Sequence, residues 1–392
     1  MKPGKSVLQP DLQLKEVETR HELLEFITFP WRVYQDDPYW VPPLISERKA
    51  FLDPQKNPFF VHAEVALFLA RRNGETVGTI AAIINDNHNT FHEEKAGFFG
   101  LFEVLDDYAV AEQLLARARD WVRGRGMEVI RGPMNMSTND ECGLLIDGFD
   151  SSPVVLMTYN PRYYVDFIER FGFVKAMDLY AYTLDTAVYE RRADKLPAKL
   201  LRVAEMVRKK QKIHIRKVDF SHFDEEVARV KEVYNSAWEK NWGFVPLTDA
   251  EIDRLAANLK QFLDQDMVFF AEIEGRPVGF SLPLPDVNQP LRLAYPRPGE
   301  PELWTLLKLV WHWKIRRRID TLRIFALGVI EEYRGQGVDA LLYVETARKA
   351  FEKGYVRAEM SWILENNVMM RRAIERLGGT IYKTYRIYEM PL

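Results

Sequence analysis

Four consecutive residues, Arg334-Gly335-Gln336-Gly337, carry the plainest chemistry in this 392-residue chain. An apolar run, Leu322–Ile330, precedes them and a helical pattern begins at Val338. Glycines let successive backbone N–H groups turn toward one concavity. A helix N-terminus behind them adds partial positive charge. Together these make a phosphate-holding turn. A second candidate is the loop 132–143, where Asn135, Ser137, Asn139 and Glu141 can hydrogen-bond a polar substrate. The same side chains can instead satisfy the loop's own backbone. Trp238, Trp242, Phe244 and Trp304–Trp313 offer aromatic area to a ligand pocket, or to a core. His88 and His92 stand four apart, a spacing for two metal ligands on a helix. Asn85–Asn89 reads as turn rather than helix, so no metal site is expected. Cys142 has no evident His partner, and no Gly-x-Ser-x-Gly occurs.

The elements that must hold these residues repeat. Leu14-Lys15-Glu16-Val17 matches Ile215-Arg216-Lys217-Val218, both alternating as an opening strand does. Asn73-Gly74 and Glu274-Gly275 each lie between apolar runs, as hairpin turns do. Asn160 leads to Ile168-Glu169-Arg170-Phe171-Gly172, and Asn366 leads to Ile374-Glu375-Arg376-Leu377-Gly378, two helices ending at Gly. Matches in one order, about two hundred residues apart, indicate a duplicated domain. The expected division is 1–190 and 191–392, with a seam near Asp185–Lys212 that ends in a basic run, Val207–Lys212. Each half reads as an α/β (α+β) unit, a mixed, mostly antiparallel sheet flanked by helices. The second half adds an apolar helix near Glu302–Arg317. At the place of the Gly-rich turn the first half has Glu103, Asp106 and Asp107, which would repel phosphate.

Composition bounds the partners. Net charge −3 argues against nucleic acid as the main partner. A single cysteine excludes an intrachain disulfide and fits a reducing compartment. The opening MKPGKSVLQPDLQLKE has no apolar signal region, and the longest apolar stretches fall far short of a membrane span. The expectation is a cytoplasmic protein without a membrane partner. Its oligomeric state is not legible.

The order of elements, with a Gly-rich turn after the fourth strand, resembles the GNAT superfamily of acyl-CoA N-acyltransferases. Arg334, Gly335, Gln336, Gly337, Val338 and Asp339 occupy the six places of its coenzyme turn, and Asp339 stands where the family has a very small residue. The resemblance implies that acetyl-CoA or another acyl-CoA is held there. It also implies that Leu327, Gly328 and Val329 line the coenzyme's arm, with Asn366 or Asn367 beside it. The acceptor would be a small-molecule or peptide amine. The family's usual tyrosine acid falls at Ile374, so Tyr382 or Tyr385 is its candidate substitute, with Glu331, Glu332 and Glu365 as candidate bases. Two alternatives stand beside this reading. One is acyl or aminoacyl transfer from a carrier protein or tRNA, as in Fem-type relatives, for which the basic runs at 207–217 and 314–318 speak. The other is a non-catalytic binding or scaffold protein on a duplicated fold.

Overall fold

The two alternating segments become strands β1 (Leu12–Glu16) and β8 (Ile213–Lys217) in a computed structural model that describes residues 12–210 and 213–392. The opening eleven residues, and Gln211 and Lys212 of the basic run, lie outside the described residues. Each opening strand pairs with a hairpin: β2 (Ala63–Arg72) with β3 (Glu75–Asn85), and β9 (Phe269–Ile273) with β10 (Arg276–Pro285). Asn73, Gly74, Glu274 and Gly275 all have positive φ, the backbone a two-residue hairpin turn requires. Helices Arg20–Thr28 and Asp249–Lys260 each begin at a threonine, Thr19 or Thr248, in a complete capping box. The helical stretch of the second half divides into Phe223–Trp238 and Asp249–Lys260, because Gly243 turns at positive φ between them.

The strands that follow do not stay within their own half. The first half continues through β4 (Ala96–Val104), β5 (Val129–Gly132), β6 (Leu144–Asp147) and β7 (Val174–Asp185). The second continues through β11 (Thr321–Val329), β12 (Arg357–Leu364) and β13 (Thr380–Pro391). All join one sheet in the order β1-β2-β3-β4-β5-β13-β7-β12-β11-β10-β9-β8, with β6 beside β13. The last strand of each half is therefore inserted against the other half. Among the described residues only β4–β5 and β11–β12 pair parallel. The mixed, mostly antiparallel, helix-flanked architecture expected for each half is present, joined into one sheet.

Burial follows the exchange. Tyr385 and Ile387 of β13 are buried with Phe98, Leu69 and Met134 of the first half, and Tyr388 is buried with Phe99 and Tyr164. Val155 of the first half is in turn buried in the core of the second. The seam is structured too: helix Ala198–Lys210 packs on helix Val338–Glu352. The extra apolar helix runs from Glu302 to Val310 and widens into the turn Trp311–Ile315. The segment carrying it is tied across the junction. Trp31 Nε1 donates to the Pro296 carbonyl at 2.8 Å, and the Ser46 amide donates to Glu302 Oε2 at 3.0 Å.

Residues 12–190 produced alone should lack a cooperative melt and near-UV CD, because β5 and β7 lose their β13 and β12 partners. Co-expression with 191–392 should restore both signals. A sharp melt of 12–190 by itself would show that the exchange is dispensable.

Candidate active site

The Gly-rich turn is built by its own arginine. Arg334 Nε donates to the Val329 carbonyl at 3.2 Å and Nη2 to the Ala237 carbonyl at 2.6 Å. The turn is thereby bound to the end of β11 and to helix Phe223–Trp238. Gly335 (φ +71°) faces open space. Gly337 (φ +86°) admits no side chain, since a Cβ there would lie 2.7 Å from Val207 Cγ2 and 2.8 Å from Val203 Cγ1. Helix Val338–Glu352 starts at Gly337 with no side-chain cap. In the first half the matching helix, Tyr108–Arg123, is capped by Asp107, which accepts from the Ala109 amide at 3.0 Å and pairs with Arg72. A carboxylate of the chain thus fills the anion position in the first half, and none does in the second. Asp339 does not crowd the turn. It is exposed while Val338 and Ala340 on either side are buried, so its carboxylate faces solvent.

Next to the turn the sheet opens. Parallel pairing of β11 with β12 ends at Ile324↔Met360, so Leu327, Gly328 and Val329 lie beyond it. Trp238 packs on Gly328, where a Cβ would come within 2.4 Å of its ring. A cavity of about 1090 Å³ reaches into this opening past Phe325, Ala326, Ser361 and Trp362. Its other walls come from Trp40, Leu44 and Phe51 of the first half and from the inner face of the inserted helix, Leu306, Leu309 and Trp313. The lining is mainly apolar. Trp362 Nε1 is buried there without a hydrogen-bond partner. A buried donor in that state is uncommon in folded proteins.

The first half closes the equivalent opening. Beyond Phe98↔Arg131 the loop 133–143 fills the gap between β4 and β5. The Met134 amide donates to the Phe99 carbonyl and the Leu101 amide to Asn135 Oδ1, each at 2.8 Å.

The sequence-derived candidates separate in space. Asn135, Asn139, Glu141 and Trp242 line the cavity. Asn135 also plugs the first-half opening. Asn139 Nδ2 donates to the Val245 carbonyl at 2.9 Å and its Oδ1 accepts from the Tyr234 hydroxyl at 3.0 Å. Both oxygens of Glu141 accept from Arg48 Nη2, at 3.0 and 2.8 Å. Ser137 is buried and donates to Asp140 Oδ2. Glu331 pairs with Lys240 on the surface. Glu365 pairs with Lys175 and accepts from the Asp178 amide at 3.1 Å. Tyr382 donates to Glu359 Oε1 at 3.2 Å. Asn367 caps helix Val368–Arg376 by accepting from the Met370 amide, and the Asn366 carbonyl accepts from Val368. His88 and His92 do lie on a helix, Asp86–His92, contrary to the turn expected there, because Asn85 serves as its cap. Their rings bond to Glu94 and the Phe244 carbonyl, and no metal-ligand cluster occurs among the described residues. Glu103, expected to repel a phosphate, is instead turned inward onto Tyr34 and Tyr164.

Several polar residues at the cavity were not anticipated. Arg323 and Glu359 are adjacent across β11 and β12 and almost fully buried. Arg323 Nη2 donates to the Ser361 carbonyl at 3.3 Å, and Nη1 donates to the Val155 carbonyl, so it joins β12 to the first half. A charge inside each of two apolar strand runs was the available signal. Burial pushes the Glu103 carboxyl up to about 7, against hydrogen bonds from Tyr164 at 2.8 Å and Tyr34 at 2.9 Å. Burial likewise raises Asp140 to about 7, against its bond from Ser137. Both line the cavity, and both are near neutrality, where a carboxylate can take a proton.

Comparisons with known proteins give consistent results. The model of the acetyltransferase (GNAT) family matches residues 227–378. A protein named bacterial ceramide synthase from Caulobacter vibrioides (strain NA1000 / CB15N) is 39% identical over 393 residues, 97% of this chain and 98% of that protein. Protein YghO of Escherichia coli (strain K12) is 35% identical over 374 residues, 94% of this chain and 93% of that one. A solved tandem GNAT protein from the clavulanic acid biosynthesis pathway superposes with TM-score 0.59 at 13% identity, over 97% and 98% of the chains. A GCN5-related N-acetyltransferase from Sphaerobacter thermophilus gives TM-score 0.51 at 12% identity, over 97% and 95%. At those identities the two structures speak to fold alone.

The raised carboxyls make a pH prediction. Folded Glu103 holds its proton above the ordinary carboxyl range, so the folded state binds more protons than the unfolded one between pH 4.5 and about 7. Its contribution to stability therefore falls as pH rises through that window. Glu103→Gln should gain stability relative to wild type as pH increases, by at most about 3 kcal/mol above pH 8. Urea melts of both proteins at pH 5 and pH 8 measure it. A difference independent of pH would remove Glu103 as a buried acid.

Proposed function

Because the chain belongs to the GNAT acyltransferase family, we propose that it is an N-acyltransferase whose acceptor is a lipid amine. In this reading an acyl group passes from acyl-CoA to the nitrogen of a long-chain amino alcohol, a reading supported by the 39% identity to a protein named a ceramide synthase. The observation that carries the proposal is the cavity. It is larger than most small-molecule sites, mainly apolar, and continuous with the β11–β12 opening. A small polar amine would leave such walls uncovered, whereas an alkyl chain covers them.

The residues present fit an acyl-CoA. The uncapped helix at Val338, the exposed turn Arg334–Gln336 and the open space at Gly335 suit a pyrophosphate. When bound, an acyl-CoA supplies an acyl group activated as a thioester. The orphan Trp362 N–H would hold a carbonyl or hydroxyl oxygen inside the opening. Exchange of a thioester C–S bond for the amide C–N bond moves one proton from the acceptor nitrogen to the departing thiolate, and Asp140 and Glu103 are the cavity carboxyls that would relay it. The principal contribution of the fold would be to position both partners away from water. In this proposal the repeats divide at 1–190 and 191–392, the second carrying the donor turn and both lining the cavity.

Transfer from tRNA is supported less. Arg208 is engaged by Glu345, and Arg216 by Glu226 and Glu272, so this part of the basic stretch is internally neutralised.

Incubation with palmitoyl-CoA or acetyl-CoA and either a long-chain amino alcohol or a short polar amine, read by mass spectrometry, tests the proposal. The long-chain amide should form fastest. Gly335→Asp, which puts a carboxylate into open space at the turn, should weaken CoA binding by about ten-fold or more. Asp339→Asn should tighten it about two- to five-fold. Trp362→Phe should lower kcat with little change in melting temperature. No thermal shift with any acyl-CoA at millimolar concentration would sink the donor assignment, and turnover of the short amine alone would sink the lipid acceptor.

A further inference from the structure

Helix Glu302–Val310 and its extension Trp311–Ile315 have two apolar faces. The inner one closes the cavity with Leu306, Leu309 and Trp313. The outer one shows Leu303, Trp304, Leu307, Val310, Trp311 and Ile315 to solvent, with Leu303 exposed by 64% and Ile315 by 61%. Large apolar side chains collected on one short element mark an interaction surface. Its exposed cations are Lys308, Lys314, Arg316, Arg317 and Arg318. Of the nearby acids, Glu302 is bound by Ser46, Glu300 lies beside Arg297, and Asp320 accepts from Gln289 and Thr321. Lys314 Nζ sits 3.9 Å from the centre of the Trp313 ring.

We propose that this element seats the protein on the surface of an anionic lipid bilayer. Tryptophan and leucine would enter the headgroup–acyl boundary while the five cations meet lipid phosphates. A second copy of the chain is the poorer occupant, because an isologous contact would bring the two sets of cations together. An acidic protein would answer the cations but leave the six apolar side chains without lipid-like cover. The run is too short to span, and no described helix is long and apolar enough to cross a membrane. The contact is therefore peripheral, and it departs from the expectation of no membrane partner. It deepens the lipid-acceptor reading, since the same helix that would touch lipid roofs the cavity. Vesicle binding is nevertheless read without turnover, so either idea can fail alone.

The full chain should be sedimented with vesicles of phosphatidylcholine, with and without one-third phosphatidylglycerol, at about 0.1 M salt. Wild type should partition to the anionic vesicles at least about ten-fold more strongly than to the neutral ones, with a blue shift of tryptophan emission. Trp304→Glu combined with Trp311→Glu should lose at least about ten-fold of that binding at an unchanged melting temperature. The milder pair Leu303→Ser and Leu307→Ser serves if the first is unstable. Arg316→Glu with Arg317→Glu should abolish the preference for anionic lipid. Wild type left in the supernatant with both vesicles overturns the proposal, as does undiminished binding by the tryptophan variant. A dimer on size exclusion that the tryptophan variant dissolves, without vesicle binding, reassigns the face to a second copy.

Discussion

The exchange of terminal strands is the constraint on which the rest of this molecule depends. β13 hydrogen-bonds to β5 and β7, and β7 to β12, so the two repeats share one sheet. Each unpaired backbone group in such a buried sheet would be costly. The repeats are therefore held at one fixed angle, and a cavity can be walled from both sides and keep its shape. Arg323 reinforces the junction by donating to carbonyls of Val155 and Ser361, one from each half. Tyr385, fully buried on β13, carries packing from the second repeat into the core of the first.

Within that symmetric frame one asymmetry makes the site. Both repeats splay their fourth and fifth strands. In the first, the loop 133–143 interrupts the fifth strand and fills the opening, and Asp107 caps the next helix. In the second, β12 runs on unbroken, the opening stays empty of chain, and Gly337 leaves the helix N-terminus uncapped. A repeat that caps and plugs itself becomes structure. A repeat that does neither keeps an uncapped helix N-terminus and access to a cavity. The loop that plugs one repeat also grips the other, since Thr138 and Asn139 donate to the carbonyls of Gly243 and Val245.

Much of this was legible in the residues. Periodicity placed the strands, Gly74 and Gly275 placed the hairpin turns, and Gly335 with Gly337 marked the turn that opens helix Val338–Glu352, because each feature depends on neighbours close in the chain. Asn135 and Asn139 stand out in sequence as polar residues of one loop, but the partners they bond, Leu101, Val245 and Tyr234, lie far away in sequence. The helix at His88 was missed because Asn85 reads equally as turn or cap until its acceptor bond to the His88 amide is seen. The meaning of Asp339 likewise required knowing which side of the first helical turn faced solvent.

The sequence by itself determined the duplication, the α/β architecture of each repeat and the Gly-rich turn before helix Val338–Glu352, since these follow from local conformational preference and apolar spacing. Only the tertiary structure decided which strand completes which sheet, that Glu103 and Asp140 sit in a low-dielectric wall, and that an apolar helix both roofs the cavity and faces outward. Those outcomes depend on which surfaces exclude water from one another, and that is settled by contacts between residues tens to hundreds of positions apart.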